Sequence, residues 1–211
     1  MLFKSFSEKI NTTLGRLSPA RRIFLSFALV IFAGSLLLSL PFVQATSSQA
    51  TYFDHLFTAV SMVCVTGLFT QPVATTYNIW GQLICMFLIQ IGGLGLMTFI
   101  GVFYIQSKQK LSLRSRETIL ESFSYGETHS LMVFIRSIFL TTFIVEGLGA
   151  FLLSFRFVPE FGWGRGIFTS IFVAISAFCN AGFDNFGSTS LVAFQTDPLI
   201  NLVIAALIIT G

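Results

Sequence analysis

Phe57-Thr58-Ala59-Val60-Ser61-Met62-Val63-Cys64-Val65-Thr66-Gly67-Leu68 lies between two apolar runs long enough to cross a bilayer, yet is itself too short to do so. A spanning helix needs about 20 predominantly apolar residues. The stretch also recurs 115 positions along, as Phe172-Val173-Ala174-Ile175-Ser176-Ala177-Phe178-Cys179-Asn180-Ala181-Gly182-Phe183. Both copies follow F-x-A-x-S-x-x-C-x-x-G. Ser, Cys and Gly are kept while the aliphatic residues drift, which points to a repeated backbone shape more than to a repeated core.

The surrounding composition places that shape in a membrane. The 211 residues are 54% hydrophobic and only 10% charged, against about 25% charged in a typical soluble domain. Three cysteines and two histidines, with no C-x-x-C spacing, exclude a disulfide scaffold and argue against a zinc site.

Outward from the first copy, residues 1–21 form a basic leader, and Ile23–Leu40 reads as a spanning helix ended by Pro41. Gly34 and Ser35 offer close helix approach. Tyr52–Val65 has the length of a re-entrant segment. A second long helix is expected from Asn78 to Tyr104, with Gly92-Gly93-Leu94-Gly95 letting another backbone come close. Residues 106–130 are the most polar part. Leu131–Phe155 reads as the next spanning helix, Arg156–Gly166 as a loop, Ile167–Phe178 as the second short segment, and 184–197 as a further loop. Asp197-Pro198 suits a helix N-cap followed by N1, and the apolar run it opens reaches Gly211, which reads as a truncated span. The organisation is therefore a leader (1–21), a first helix–short segment–helix repeat (22–105), a loop (106–130) and a second repeat (131–211).

Ten of the twelve basic residues fall in the leader and at Arg22 just after it, in the central loop or at Arg136, and only Arg156 and Arg165 fall on the other side. This asymmetry predicts a cytoplasmic N-terminus and central loop, with both short segments entering from outside. Non-helical backbone at membrane depth is tolerated where protein buries it or where it lines a wet cavity. A short helix that returns extended leaves carbonyls able to replace the hydration shell of a cation such as K+, and Gly67 and Gly182 supply the permissive backbone there.

The motifs Val63-Cys64-Val65-Thr66-Gly67-Leu68, Gly92-Gly93-Leu94-Gly95-Leu96-Met97-Thr98, Glu146-Gly147-Leu148-Gly149 and Ser176-Ala177-Phe178-Cys179-Asn180-Ala181-Gly182-Phe183-Asp184 cover nearly the whole chain. On them the sequence resembles the Trk/Ktr/HKT superfamily of potassium transporters, and within it the Ktr-type ion-translocating subunit, N-terminal half. The resemblance implies an all-α integral membrane fold of helix–pore-loop–helix repeats with pseudo-fourfold symmetry, two of four being present and the last helix truncated. It implies filter glycines at Gly67 and Gly182, with carbonyls of Val63, Cys64, Val65, Thr66, Phe178, Cys179, Asn180 and Ala181 lining a K+ path. It implies a multi-pass plasma-membrane subunit for K+ uptake, needing no cofactor beyond the transported K+, with Na+ as a candidate activator. Its partners would be lipids, a second copy of the full subunit and a cytoplasmic ring of nucleotide-binding regulatory subunits docked on the central loop; nucleic acid is not among them.

Glu146 in an apolar helix is a functional candidate by its cost alone: it could bind a cation, pair with a basic residue of a repeat not present here or cap a pore-loop amide, with a structural role as the alternative. Asp184 would sit at the outer mouth and concentrate cations. Asp54 and Asp197 read as helix N-caps, and Cys64 and Cys179 as small buried packing residues. Of the rival classes, a membrane enzyme lacks support, since His55 and His129 fall on opposite sides of the membrane and in no nucleophile motif. The remaining alternative is a non-conducting assembly subunit.

Overall fold

A computed structural model describes residues 19–95 and 128–211. The leader, the central loop and the expected helical stretch beyond Gly95 lie outside the described residues, as do the side chains of 128–135, His129 among them. The chain divides into two compact units. The first takes in the parts before Val30 and between Gly95 and Ile138, and its described residues are helical. The second comprises Val30–Gly95 and Ile138–Gly211 and holds everything discussed below.

Among the described residues six longer helices carry the fold: α1 (Pro19–Leu38), α2 (Tyr52–Val63), α3 (Ile79–Leu94), α4 (Thr128–Phe161), α5 (Trp163–Phe178) and α6 (Pro198–Thr210). Short helical turns at Pro41–Val43, Val73–Thr76 and Ser190–Phe194 punctuate the connections. In the second unit α2 packs on α3, α3 on α5, and α5 on α6. Polarity runs inside out. Thr58, Ser61, Gln90, Thr142, Glu146, Thr169 and Ser176 are buried, whereas Phe32, Phe143, Phe151, Leu202 and Ile209 face outward. Water would drive the opposite arrangement, so these outer faces suit lipid. Among the described residues, Arg136–Phe161 is a helix long and apolar enough to cross a membrane.

The boundaries differ from expectation in three places. The short segments are helical over Tyr52–Val63 and Trp163–Phe178. The helix after the first segment closes at Leu94, where Gly95 takes φ 78°. The expected loop over Arg156–Gly166 is helical up to Phe161, and the chain turns at Gly162 alone, with φ 79°. Its anchor is a cluster of Phe157, Phe161, Phe186 and Phe194, whose six ring pairs have centroids 5.2–6.2 Å apart. Phe157 is fully buried, and such ring pairs contribute about 0.5–1.5 kcal/mol each beyond area burial. The cluster holds the loop after the second short helix against α4.

The repeat seen in the sequence is also one of packing. Gly34 of α1 leaves room for Leu88 of α3, and Gly149 of α4, 115 positions on, leaves the same room for Leu207 of α6. Leu88 and Leu207 are 119 positions apart, because the second connection is longer by four residues. The helix caps keep that spacing. Asn78 Oδ1 accepts from the Trp80 and Gly81 amides, and Asp197 Oδ1 from the Leu199 and Ile200 amides. The expected N-cap at Asp197 is thus present, and Arg156 adds an ion pair to it at 2.5 Å.

Asp54 is placed differently. Thr51 is the N-cap of α2, and Asp54 is the third helical residue, whose carboxylate accepts from the Thr51 amide and hydroxyl at 2.7 Å each. Its other oxygen accepts from the Thr70 hydroxyl at 2.7 Å, tying the start of α2 to the segment that follows it. The Thr70 bond first, then those from Thr51, hold this carboxyl below the usual carboxylate range. A depressed folded pKa means that the stabilisation is present above the unfolded value and lost as pH falls through the folded one. Asp54→Ala is therefore expected to cost about 1 kcal/mol at neutral pH, the difference from wild type closing below about pH 4. Thermal unfolding across that range checks it, and a pH-independent difference would count against the assignment.

Candidate ion-binding site

After α2 and α5 the backbone does the same unusual thing twice. Val65 and Gly67 have φ 54° and 73°, and Asn180 and Gly182, each 115 positions on, have φ 55° and 69°. The residue between each pair is not left-handed. Alternating handedness along an extended strand turns successive carbonyls to one side. Gly67 and Gly182 meet this need without strain, and Asn tolerates it. Val65 is β-branched and does not, so the first strand is held against its own preference.

What holds each strand is the serine of the repeated motif. The Thr66 amide donates to the Ser61 carbonyl at 2.9 Å, and the Leu68 amide to the Ser61 hydroxyl at 2.9 Å. In the second copy the Ala181 amide donates to the Ser176 carbonyl, and the Phe183 amide to the Ser176 hydroxyl, both at 2.8 Å. Each serine, in the last turn of its helix and 2% exposed, grips the strand on either side of its glycine. The retained Ser in the motif was the available signal.

The two strands come together at their glycines. A Cβ on Gly67 would lie 3.0 Å from the Ala181 carbonyl oxygen, and one on Gly182 would lie 3.3 Å from the Gly67 Cα. Cys64, Val65, Thr66, Cys179, Asn180 and Ala181 therefore belong to two adjoining turns of backbone. Val63 and Phe178 do not join them. The Val63 carbonyl lies against Gly92 of α3, where a Cβ would be 2.6 Å away, and the Phe178 carbonyl lies against Gly211. Both are the last helical residues of α2 and α5. The close approach expected of the Gly92–Gly93 pair is found here: Gly92 backs the end of α2, and Gly93 touches Cβ and Sγ of Cys179.

The remaining candidates separate. Cys179 is buried and Cys64 exposed, so only the former is a buried packing residue. Asp184 is engaged by its own loop, Oδ1 accepting from the Phe186 amide at 2.9 Å and Oδ2 from the Ser190 hydroxyl. It borders a cavity of about 210 Å³ lined by Asn180, Gly182, Ser190 and Ile208 among others. Glu146 is 5% exposed and accepts from Gln90 Nε2 at 2.9 Å. His55 is buried in α2 and shares a hydrogen bond with the Tyr77 hydroxyl at 2.9 Å, a structural pairing behind the strand. Among the described residues no group of His, Cys, Asp or Glu is placed to hold a metal ion.

Among the described residues, helices with apolar outer faces around a polar interior define a class, the integral membrane proteins. The profile of the TrkH family, cation transport protein, matches residues 22–211. The chain belongs to this family. It is 42% identical over 196 residues to the potassium/sodium uptake protein NtpJ of Enterococcus hirae, covering 93% of this chain and 43% of NtpJ. It is 38% identical over 196 residues to the Ktr system potassium uptake protein B of Bacillus subtilis, with the same two coverages. The protein of that name from Vibrio alginolyticus is 38% identical over 191 residues, covering 90% of this chain and 41% of the relative. These similarities fall on the Ktr side of the superfamily, and the chain spans less than half the length of each of these relatives.

Proposed function

We propose that this chain is part of the pore-forming subunit of a K+ uptake system. The two strands supply two sides of a selectivity filter, at Cys64–Gly67 and Cys179–Gly182. The observation that carries the reading is the matched alternation at Val65/Gly67 and Asn180/Gly182, joined where the two glycines meet. A cation entering this point exchanges water for carbonyl oxygens, and the ring closes with strands from elsewhere in the assembled transporter. α1–α2–α3 and α4–α5–α6 are two helix–pore-loop–helix repeats of a pseudo-fourfold pore. The ion moves down the membrane potential, worth about 2.3 kcal/mol per charge per 100 mV.

The rest of the proposal follows from the charge asymmetry and the resemblance. The subunit sits in the plasma membrane with its N-terminus in the cytoplasm, works as a homodimer of the full chain, and docks a nucleotide-binding regulatory ring on its cytoplasmic face. Na+ is a candidate activator.

Expression of the complete gene in a cell lacking its own K+ uptake tests the central claim. Growth at limiting K+ and K+-selective uptake are expected. Absence of both, with the protein present in the membrane, would replace the pore by a non-conducting assembly role.

A further inference from the structure

α3 is apolar almost throughout, and Gln90 sits between Ile89 and Ile91 near its end, only 7% exposed. A buried primary amide must be satisfied at both ends or it costs several kcal/mol. Here each end reaches a different element. Its NH2 donates to Glu146 Oε1 at 2.9 Å, on α4. Its carbonyl oxygen accepts from the Cys179 thiol at 3.9 Å, at the root of the second strand. Glu146 offers an oxygen to the NH2 and the thiol offers its proton to the carbonyl oxygen, so the two partners set which way round the amide lies.

Cys179 touches the same face of α3 a second time. Gly93, three residues from Gln90 and therefore on its side of the helix, admits no Cβ against Cys179 Cβ and Sγ. The residue that opens the second strand is thus held from behind by α3 at two points. Its strand is also held by Ser176, and the Asn180 side chain donates to the Ile208 carbonyl at 3.3 Å. A shift at Cys179 passes directly into Asn180 and Ala181.

Among the described residues the first strand shows no such brace: Ile31 stands 115 positions before Glu146, and Cys64, the counterpart of Cys179, is exposed. Within these two repeats the acid, the amide and the buried thiol accompany the second strand. Tight packing alone needs no such polar chain in a membrane interior, where apolar contacts serve as well.

We propose that Gln90 is a positioning residue for the second strand, keyed by Glu146: the carboxylate orients the amide, and the amide fixes Cys179 and with it the carbonyls that face the ion. The proposal rests on the filter reading above. It assigns part of the ion selectivity of one repeat to the inner helix of the other.

The test uses the complete transporter, with K+ and Na+ uptake measured beside membrane level. Gln90→Met keeps length and removes both hydrogen bonds. Glu146→Leu removes the acceptor, while Glu146→Gln keeps a carbonyl oxygen to accept it. Loss of an outer-shell partner lowers metal-site affinity by about 10–100-fold. Q90M and E146L are expected to raise the KM for K+ and lower K+-over-Na+ discrimination by about the lower end of that range, while E146Q stays within about twofold of wild type. Should Q90M not reach the membrane, E146L against E146Q decides by the same criterion. Wild-type discrimination in Q90M or E146L overturns the proposal, and so does E146Q behaving like E146L. A wild-type protein that carries no K+ overturns the filter reading itself; one that carries K+, with Q90M indistinguishable from it, overturns only this inference.

Discussion

Gly67→Ser in the complete transporter is expected to lower K+-over-Na+ discrimination at least about tenfold, a change of about 1.4 kcal/mol in relative ion stabilisation. Two independent costs meet at this residue. Its φ of 73° is one that L side chains adopt at about 1–2 kcal/mol. Its Cβ would lie 3.0 Å from the Ala181 carbonyl oxygen, a backbone atom that cannot swing aside as a side-chain end would. Relief requires either strand to move, and both carry the oxygens proposed to replace water around the ion. Gly182→Ser carries the same conformational cost at φ 69° but meets the Gly67 Cα at 3.3 Å, a milder contact with no oxygen in it. Gly67→Ser should therefore be the more damaging of the two. Uptake of K+ against Na+ in cells, with membrane protein quantified, decides it. Unaltered discrimination in both variants would remove these glycines from the filter.

The pairing of these glycines was legible because a strand geometry that only certain residues tolerate leaves its mark in residue types. F-x-A-x-S-x-x-C-x-x-G survives where a packed core would have kept only size. Asp197-Pro198 announced a helix start for the same local reason. The helix through Arg156 was not legible. Arg156, Pro159, Gly162, Gly164 and Gly166 read locally as a loop, and what keeps residues 156–161 helical is the packing of Phe157 and Phe161 on Phe186 and Phe194, about 30 residues away. Val63 and Phe178 entered the expected path through the family resemblance; that they close α2 and α5 with their carbonyls against Gly92 and Gly211 is set by tertiary packing. Gln90 went unremarked although an amide in an apolar helix is itself a signal, because its partners lie 56 and 89 residues off. Local chemistry was readable, and contacts set by tertiary packing were not.

The two serines separate local chemistry from environment most sharply, because the same substitution is expected to have unequal effects. Ser61→Ala and Ser176→Ala each delete one hydroxyl acceptor and strand one amide, that of Leu68 or of Phe183. A buried donor left without a partner costs about 1–3 kcal/mol, whereas one that reaches water costs much less. Phe183 is 3% exposed and its bond to Ser176 is buried; Leu68 is 62% exposed and its bond is only partly buried. Ser61 also shares a hydrogen bond with the Thr66 hydroxyl at 2.8 Å, but Thr66 has a second acceptor in the Ser61 carbonyl at 3.4 Å and keeps a partner when the serine hydroxyl goes. Ser176→Ala is therefore expected to raise the KM for K+ about tenfold or more, the transport equivalent of about 1.4 kcal/mol or above. Ser61→Ala should move it only a few-fold. The unfolding temperature of the purified transporter should fall in the same order. Equal effects of the two substitutions, or a larger one at Ser61, would mean that the hydroxyls do not hold the strands by these amides.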